Sequence, residues 1–182
     1  MAPARPRGRD VSLIIGGARS GKSRFAEGLA TATGLPVAYV ATARGDDAEM
    51  RERIARHRAE RPASWTTIDA PLALARAIEG EATPARVVLV DCLTLWLTNV
   101  MLGDLDVEHE IAGLLAALGS AAGPVVLVSN EVGYGIVPDN ALARAFRDHQ
   151  GRLNQRVAGL ASRVTLVAAG LPLDLKLPKK AA

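Results

Sequence analysis

Cysteine is almost absent from this chain: among 182 residues only Cys92 carries a thiol. One thiol closes no internal disulfide, which excludes a disulfide-stapled secreted scaffold and makes a reducing cytoplasm the expected setting. Aromatic residues are scarce at 3%, too few for the stacking platforms that hold single-stranded nucleic acid. No membrane span is expected from the sequence. The opening MAPARPRGRD carries arginine and proline but no apolar core, unlike a secretory signal. The formal charge is only +3, and basic residues in the first ten positions and the closing LPKK account for the excess. The remainder is near neutral, without the basic stripe of a nucleic-acid footprint, so no nucleic-acid partner is expected. Residues 1–10 read as a disordered arm, and 11–182 as a single domain.

What is abundant is small and branched aliphatic residues, within a hydrophobic share of 49%. They fall in short runs at Val11–Ile15, Val37–Thr42, Val87–Val90, Val125–Ser129 and Val164–Ala168, which read as buried strands. Helical patterns lie between them: Lys22 to Thr33, Asp46–Asp47 as a cap to about Glu60, 71–79, 106–118, and Asn140 to Ser162. The last carries an apolar stripe of Leu142, Phe146, Leu153, Val157 and Leu160. After Ala168 the chain tails off. Strands alternating with helices predict an α/β fold: a mostly parallel sheet covered on both faces, a three-layer sandwich.

The most specific signal is Gly16-Gly17-Ala18-Arg19-Ser20-Gly21-Lys22-Ser23, a complete G-x-x-x-x-G-K-[ST] between a strand and a helix. Glycines let the backbone curl its N–H groups around phosphates, and the helix N-terminus adds partial positive charge. Lys22 is expected at the β- and γ-phosphates and Ser23 on Mg²⁺. Asp91, closing Val87-Val88-Leu89-Val90-Asp91, matches the carboxylate that supports the metal from a neighbouring strand. This is the pattern of a P-loop NTPase of RecA-like type. Alone it leaves kinases, GTPases, motors and nucleic-acid ATPases open.

Of the three histidines, His57 shares a helix face with Met50 and Ile54 at spacings of three and four. On the residues alone such a histidine is more often packing than chemistry. The arginines at 53, 56, 58 and 61 shift the balance toward a polyphosphate. His109, between Glu108 and Glu110, reads as solvated, and His149, between Phe146 and Leu153, as a packing residue. Asn130 and Glu131, at the carboxyl end of the fourth apolar run, stand where ligands bind in such sheets. Their roles are left open between orienting a substrate hydroxyl, supporting the metal and building a loop.

Four segments together carry a family resemblance: GGARSGKS at 16–23, YVATA at 39–43, DAEMRERIARHRAERPASW at 47–65, and SNEVGYGIVPDNALARAFRDHQGRLNQRVA at 129–158. Over residues 12–176 the chain resembles the bifunctional adenosylcobinamide kinase / adenosylcobinamide-phosphate guanylyltransferase family of cobalamin biosynthesis. The resemblance implies phosphorylation of adenosylcobinamide with ATP or GTP, then transfer of GMP from GTP to adenosylcobinamide phosphate. His57 matches the histidine that holds GMP in that family. It also implies nucleotide contacts from Ala41, Thr42 and Ala43, from Arg58, Ala59, Glu60 and Arg61, and from Asp69 and Asp91. Asp69 stands where the family's glutamate is expected. A homo-oligomer, a trimer, is implied as well. Two alternatives stay open at this stage, a single-function P-loop kinase and a RecA-like ATPase module.

Overall fold

A computed structural model describes residues 10–45, 48–59 and 61–178, with Arg53 as backbone only. The expected arm up to Arg9, the expected cap Asp46–Asp47 and the expected nucleotide contact Glu60 lie outside the described residues. In chain order the elements are β1 (Val11–Gly16), α1 (Lys22–Ala32), β2 (Val37–Ala41), α2 (Ala48–Ala59), β3 (Thr66–Asp69), α3 (Leu74–Glu81), β4 (Val87–Asp91), α4 (Leu93–Leu102), α5 (Val107–Ser120), β5 (Val125–Asn130), α6 (Ala141–Leu160), β6 (Arg163–Ala168) and β7 (Leu171–Lys176).

One seven-stranded sheet runs β3-β2-β4-β5-β1-β6-β7. Every pairing is parallel except β6 with β7. The strands alternate large aliphatics toward two cores. On one face Leu13, Val88, Val90 and Leu127 meet α3, α4, α5 and α6 through Ile78, Trp96, Leu114 and Leu153. On the other, Ile14, Leu89 and Val128 meet Ala26 and Ala30 of α1. Helices cover both faces, so the expected three-layer arrangement is the one found.

Three elements differ from the sequence reading. β3, TTID, is a four-residue edge strand without an apolar run, and the sequence reading placed no strand there. α4, LTLWLTNVML, buries Leu93, Thr94, Trp96, Leu97, Asn99 and Val100. It is apolar all round, so it shows no amphipathic period. The segment past Ala168 does not tail off but returns as β7, antiparallel to β6. Leu142, placed by periodicity in the stripe of α6, is 56% exposed. It lies in the first turn, before the helix reaches the core that Phe146 and Leu153 join.

Asn140 caps α6 by accepting from the Ala143 N–H at 2.7 Å, and Asp106 caps α5 through the His109 N–H at 3.1 Å. β1 lies inside the sheet between β5 and β6, so the turn after Gly16 opens at its carboxyl edge beside the end of β5.

Candidate active site

The turn from β1 into α1 is built for backbone contacts. A Cβ on Gly16 would come within 2.4 Å of the Val167 carbonyl oxygen, so only glycine lets β6 approach. Gly21 stands at the N-cap of α1 with φ 93°, and Arg19 also has positive φ, 56°. Such turns direct successive N–H groups to one side, the geometry of an anion nest. Nothing lies within 4 Å of a Cβ built on Gly17. The Lys22 ammonium donates to the Gly17 carbonyl at 3.0 Å. Ser20 braces the turn from behind: its carbonyl accepts from the Gly170 N–H at 2.9 Å, tying the loop to the β6–β7 turn.

In front of this turn is a cleft of about 310 Å³. Its floor is Ala18, Arg19, Lys22 and Ser23. One wall is Tyr39, Ala41 and Ala43 with Asp91, Cys92 and Leu95, and Asn130 closes the side toward β5. The opposite wall is Met50, Ile54 and His57 of α2 with Arg61 and Asp69. The helix face expected from spacings of three and four is therefore the face that meets the cleft. His57 is half-buried there, on the same cavity as Lys22.

Asp91 ends β4 with one carboxylate oxygen, Oδ2, receiving the Tyr39 hydroxyl at 2.8 Å. Burial, and then the Asp91 charge, push the Tyr39 phenol well above its usual value, so it stays a neutral donor. The Arg61 guanidinium lies 3.5 Å from the Tyr39 ring centroid and donates to Thr67 Oγ1 at 3.2 Å. Trp65 stacks with the Tyr39 ring, 6.2 Å between centroids. Arg61 is thus fixed by stacking and one hydrogen bond, while its Nε is buried without a partner. Burial pushes the Cys92 thiol up to about 11, with Asp91 adding to the shift.

The expected residues divide into two sets. Ala18, Arg19, Lys22, Ser23, Ala41, Ala43, His57, Arg61, Asp69 and Asp91 line one cavity. Gly16, Gly17, Ser20 and Gly21 shape its floor. Thr42 is a different case. It is fully buried, its hydroxyl donates to the Cys92 carbonyl and accepts from the Cys92 N–H, both at 2.8 Å, and its own carbonyl accepts from Asn99 at 2.7 Å. Its polar groups clamp β2 to β4 and α4 and leave none for a nucleotide. Arg58 and Ala59 are exposed outside the cleft lining, with Arg58 pairing to Asp69 at 3.5 Å. His109 is exposed and His149 partly buried, in keeping with their expected lesser roles.

Tyr39 and Leu95 were not singled out by sequence, and Cys92 was singled out only as the one thiol, not as a lining residue. For Tyr39 the signal exists, because period-two alternation puts it on the same strand face as Ala41. Leu95 belongs to α4, whose pattern hides it.

A hydroxyl and a carboxylate on one cavity, Ser23 and Asp91, are the hard oxygen donors that suit Mg²⁺. Among the described residues no group of three or more His, Cys, Asp or Glu could hold a metal alone. That donor set fits an ion delivered with a polyphosphate. Nor is any helix among the described residues long and apolar enough to cross a membrane.

A parallel sheet, a glycine-rich turn into a helix and a facing strand-end carboxylate define a P-loop nucleotide-binding enzyme of the RecA-like α/β class. Solved structures share the fold. Flagellar accessory protein FlaH of Methanocaldococcus jannaschii superimposes with TM-score 0.52 at 14% identity, covering 94% of this chain and 80% of FlaH. A Pyrococcus horikoshii protein of a structural project, PH0250, does so with TM-score 0.57 at 8% identity, covering 96% and 89%.

Sequence defines the group more narrowly. Residues 12–175 match the family described as cobinamide kinase / cobinamide phosphate guanyltransferase, and the chain belongs to that family. The bifunctional adenosylcobalamin biosynthesis protein CobP of Pseudomonas aeruginosa is 54% identical over 168 residues, 90% of this chain and 96% of its own. CobU of Escherichia coli, with the same bifunctional description, is 42% identical over 179 residues, 90% and 98%. The chain is therefore an enzyme of the kinase and guanylyltransferase kind that the resemblance implied.

Proposed function

We propose that this cleft carries out both reactions, phosphorylating adenosylcobinamide and then guanylylating adenosylcobinamide phosphate through a histidine-bound GMP. The single observation that carries the reading is that His57 and the phosphate-binding turn open on one cavity. In the first reaction the substrate hydroxyl oxygen attacks the γ-phosphorus of ATP or GTP. An O–P bond forms, the bond to the β-bridging oxygen breaks, the nucleoside diphosphate leaves, and the hydroxyl proton passes to solvent. Lys22 and the Gly16–Ser23 backbone bind the departing charge. Ser23 and Asp91 would hold Mg²⁺, with Tyr39 orienting Asp91 from behind. Bound there, the ion supplies charge neutralisation at the phosphates.

In the second reaction a His57 ring nitrogen attacks the α-phosphorus of GTP. A P–N bond forms and pyrophosphate leaves. A phosphate oxygen of adenosylcobinamide phosphate then attacks that phosphorus, the P–N bond breaks, and adenosylcobinamide-GDP is released with the imidazole restored. An imidazole ring nitrogen is a good nucleophile toward phosphorus, and a covalent intermediate splits one difficult transfer into two easier ones. Arg61, stacked on Tyr39, binds phosphate charge, and Asp69 accepts hydrogen bonds from the nucleoside. The setting is cytoplasmic, without nucleic-acid partners, and the acting form is a homo-oligomer, a trimer by family resemblance.

The test is incubation with α-labelled GTP. The wild-type protein is expected to keep acid-labile, base-stable label, and His57→Ala to keep none while still transferring γ-phosphate to adenosylcobinamide. Undiminished labelling of the variant would refute the nucleophile assignment.

A further inference from the structure

One stretch of surface outside the cleft is unlike the rest. Between β5 and α6, Tyr134 is 85% exposed, Ile136 97% and Val137 62%. This loop is not slack. At its start Asn154 of α6 is a buried hub. It donates to the Asn130 carbonyl and to Glu131 Oε1, both at 3.0 Å, and accepts from Ser129 Oγ at 2.7 Å and Gln150 Nε2 at 3.0 Å. At its end the Arg144 guanidinium donates to the carbonyls of Pro138 and Asp139 at 2.9 and 2.7 Å. A loop tied at both ends that holds large apolar side chains away from the core presents a binding surface.

Asn130 joins this surface to the cleft. It lines the cavity, and its backbone N–H is held by Thr94 Oγ1 at 2.8 Å. Its side-chain oxygen is buried without a partner, which leaves the amide N–H₂ as the polar end for the cavity. Gly133 of the loop also lines a groove of about 310 Å³ with Arg147, Asp148, Arg152 and Gln155 of α6.

We propose that the loop from Val132 to Val137 docks the alcohol substrate, adenosylcobinamide, and that Asn130 positions its reacting hydroxyl at the phosphate end of the cleft. The inference rests on the kinase reading above and adds the site of its second substrate. The chemistry matches: a corrin ring is broad and apolar, and its rim carries primary amides. Tyr134 and Ile136 offer it an apolar face. Arg147, Asp148 and Gln155 offer the donors and acceptors that amides require. An N–H from Asn130 engages one lone pair of the hydroxyl oxygen and leaves the other for phosphorus.

Steady-state phosphoryl transfer by the full chain tests this. The double variant Tyr134→Ser with Ile136→Ser is expected to raise KM for adenosylcobinamide about tenfold or more, the effect of truncating interface anchors. Its KM for the nucleotide and its thermal midpoint should stay at wild-type values. Asn130→Ala is expected to lower kcat about 100-fold, the usual consequence of a misplaced nucleophile, and to raise nucleotide hydrolysis without transfer. Asn130→Asp, which lacks the donor, should not restore the rate. An unchanged adenosylcobinamide KM in the loop variant overturns the proposal, and so does a lowered particle mass with that KM intact, which would make the loop a contact between copies. An Asn130→Ala variant that loses nucleotide affinity by the same factor as rate overturns the positioning role. A wild-type protein that transfers no phosphate to adenosylcobinamide defeats the parent reading, and this one with it.

Discussion

At the scale of single residues, the Tyr39–Asp91 bond separates two kinds of contribution. Tyr39 touches no reacting atom, yet it orients the carboxylate assigned to the metal. Removing such an outer partner typically lowers metal affinity or activity by about 10–100-fold. Tyr39→Phe is therefore expected to raise the Mg²⁺ concentration needed for half-maximal activity, measured by metal titration, while the fold stays intact. Cys92 makes a pH prediction. Its thiol is pushed up to about 11 in the folded protein by burial, whereas in the unfolded chain it ionises at its ordinary value, about 8.5. Above that ordinary value the unfolded state holds fewer protons, so stability falls as pH rises toward 11. Thermal midpoints in metal-free buffer should decline across this window, and Cys92→Ala should flatten part of the decline. Residue placement was legible in sequence where a motif fixes it, as for Lys22 and Asp91, which line one cavity. It was not legible for Thr42, whose strand-end position suits a ligand contact equally well. Only the fold shows its hydroxyl locked between the N–H and C=O of Cys92.

Elements show the same division between local pattern and tertiary context. The parallel strands were legible because burial on both faces makes short continuous aliphatic runs. β3 was not, since an edge strand of four residues needs no such run. β7 was not, because Pro172 and exposed leucines suit an edge strand but contradict a buried one. α2 follows different physics: none of its described residues is buried, and it meets the molecule through the cleft side chains Met50, Ile54 and His57. With few buried contacts its amides should exchange hydrogen faster than those of α4 and α5. Bound GTP should slow them selectively, as measured by hydrogen exchange. β1 and α1 depend instead on the absence of a side chain at Gly16. Gly16→Ala forces a Cβ against the Val167 carbonyl and is expected to destabilise by about 1–3 kcal/mol, as overpacking does. It should also abolish nucleotide binding, so denaturant unfolding and nucleotide titration should change together.

For the whole molecule, the far edge of the sheet matters. Leu171, Leu173 and Leu175 of β7, and Leu177 just after it, are each more than half exposed, and a long apolar edge is a surface that association covers. The mass in solution is expected to be a multiple of 19.1 kDa, and Leu173→Lys with Leu175→Glu should reduce it toward one chain in light scattering. At the opposite scale of consequence is the cavity shared by Lys22 and His57. On the proposed function, a single vestibule would force the two chemistries into sequence within each subunit: a triphosphate waiting to surrender its terminal group would bar the door to one about to surrender its innermost. High ATP should therefore act as a brake on nucleotidylation, and the ratio of ATP to GTP becomes a timer that decides which half of the catalytic cycle runs.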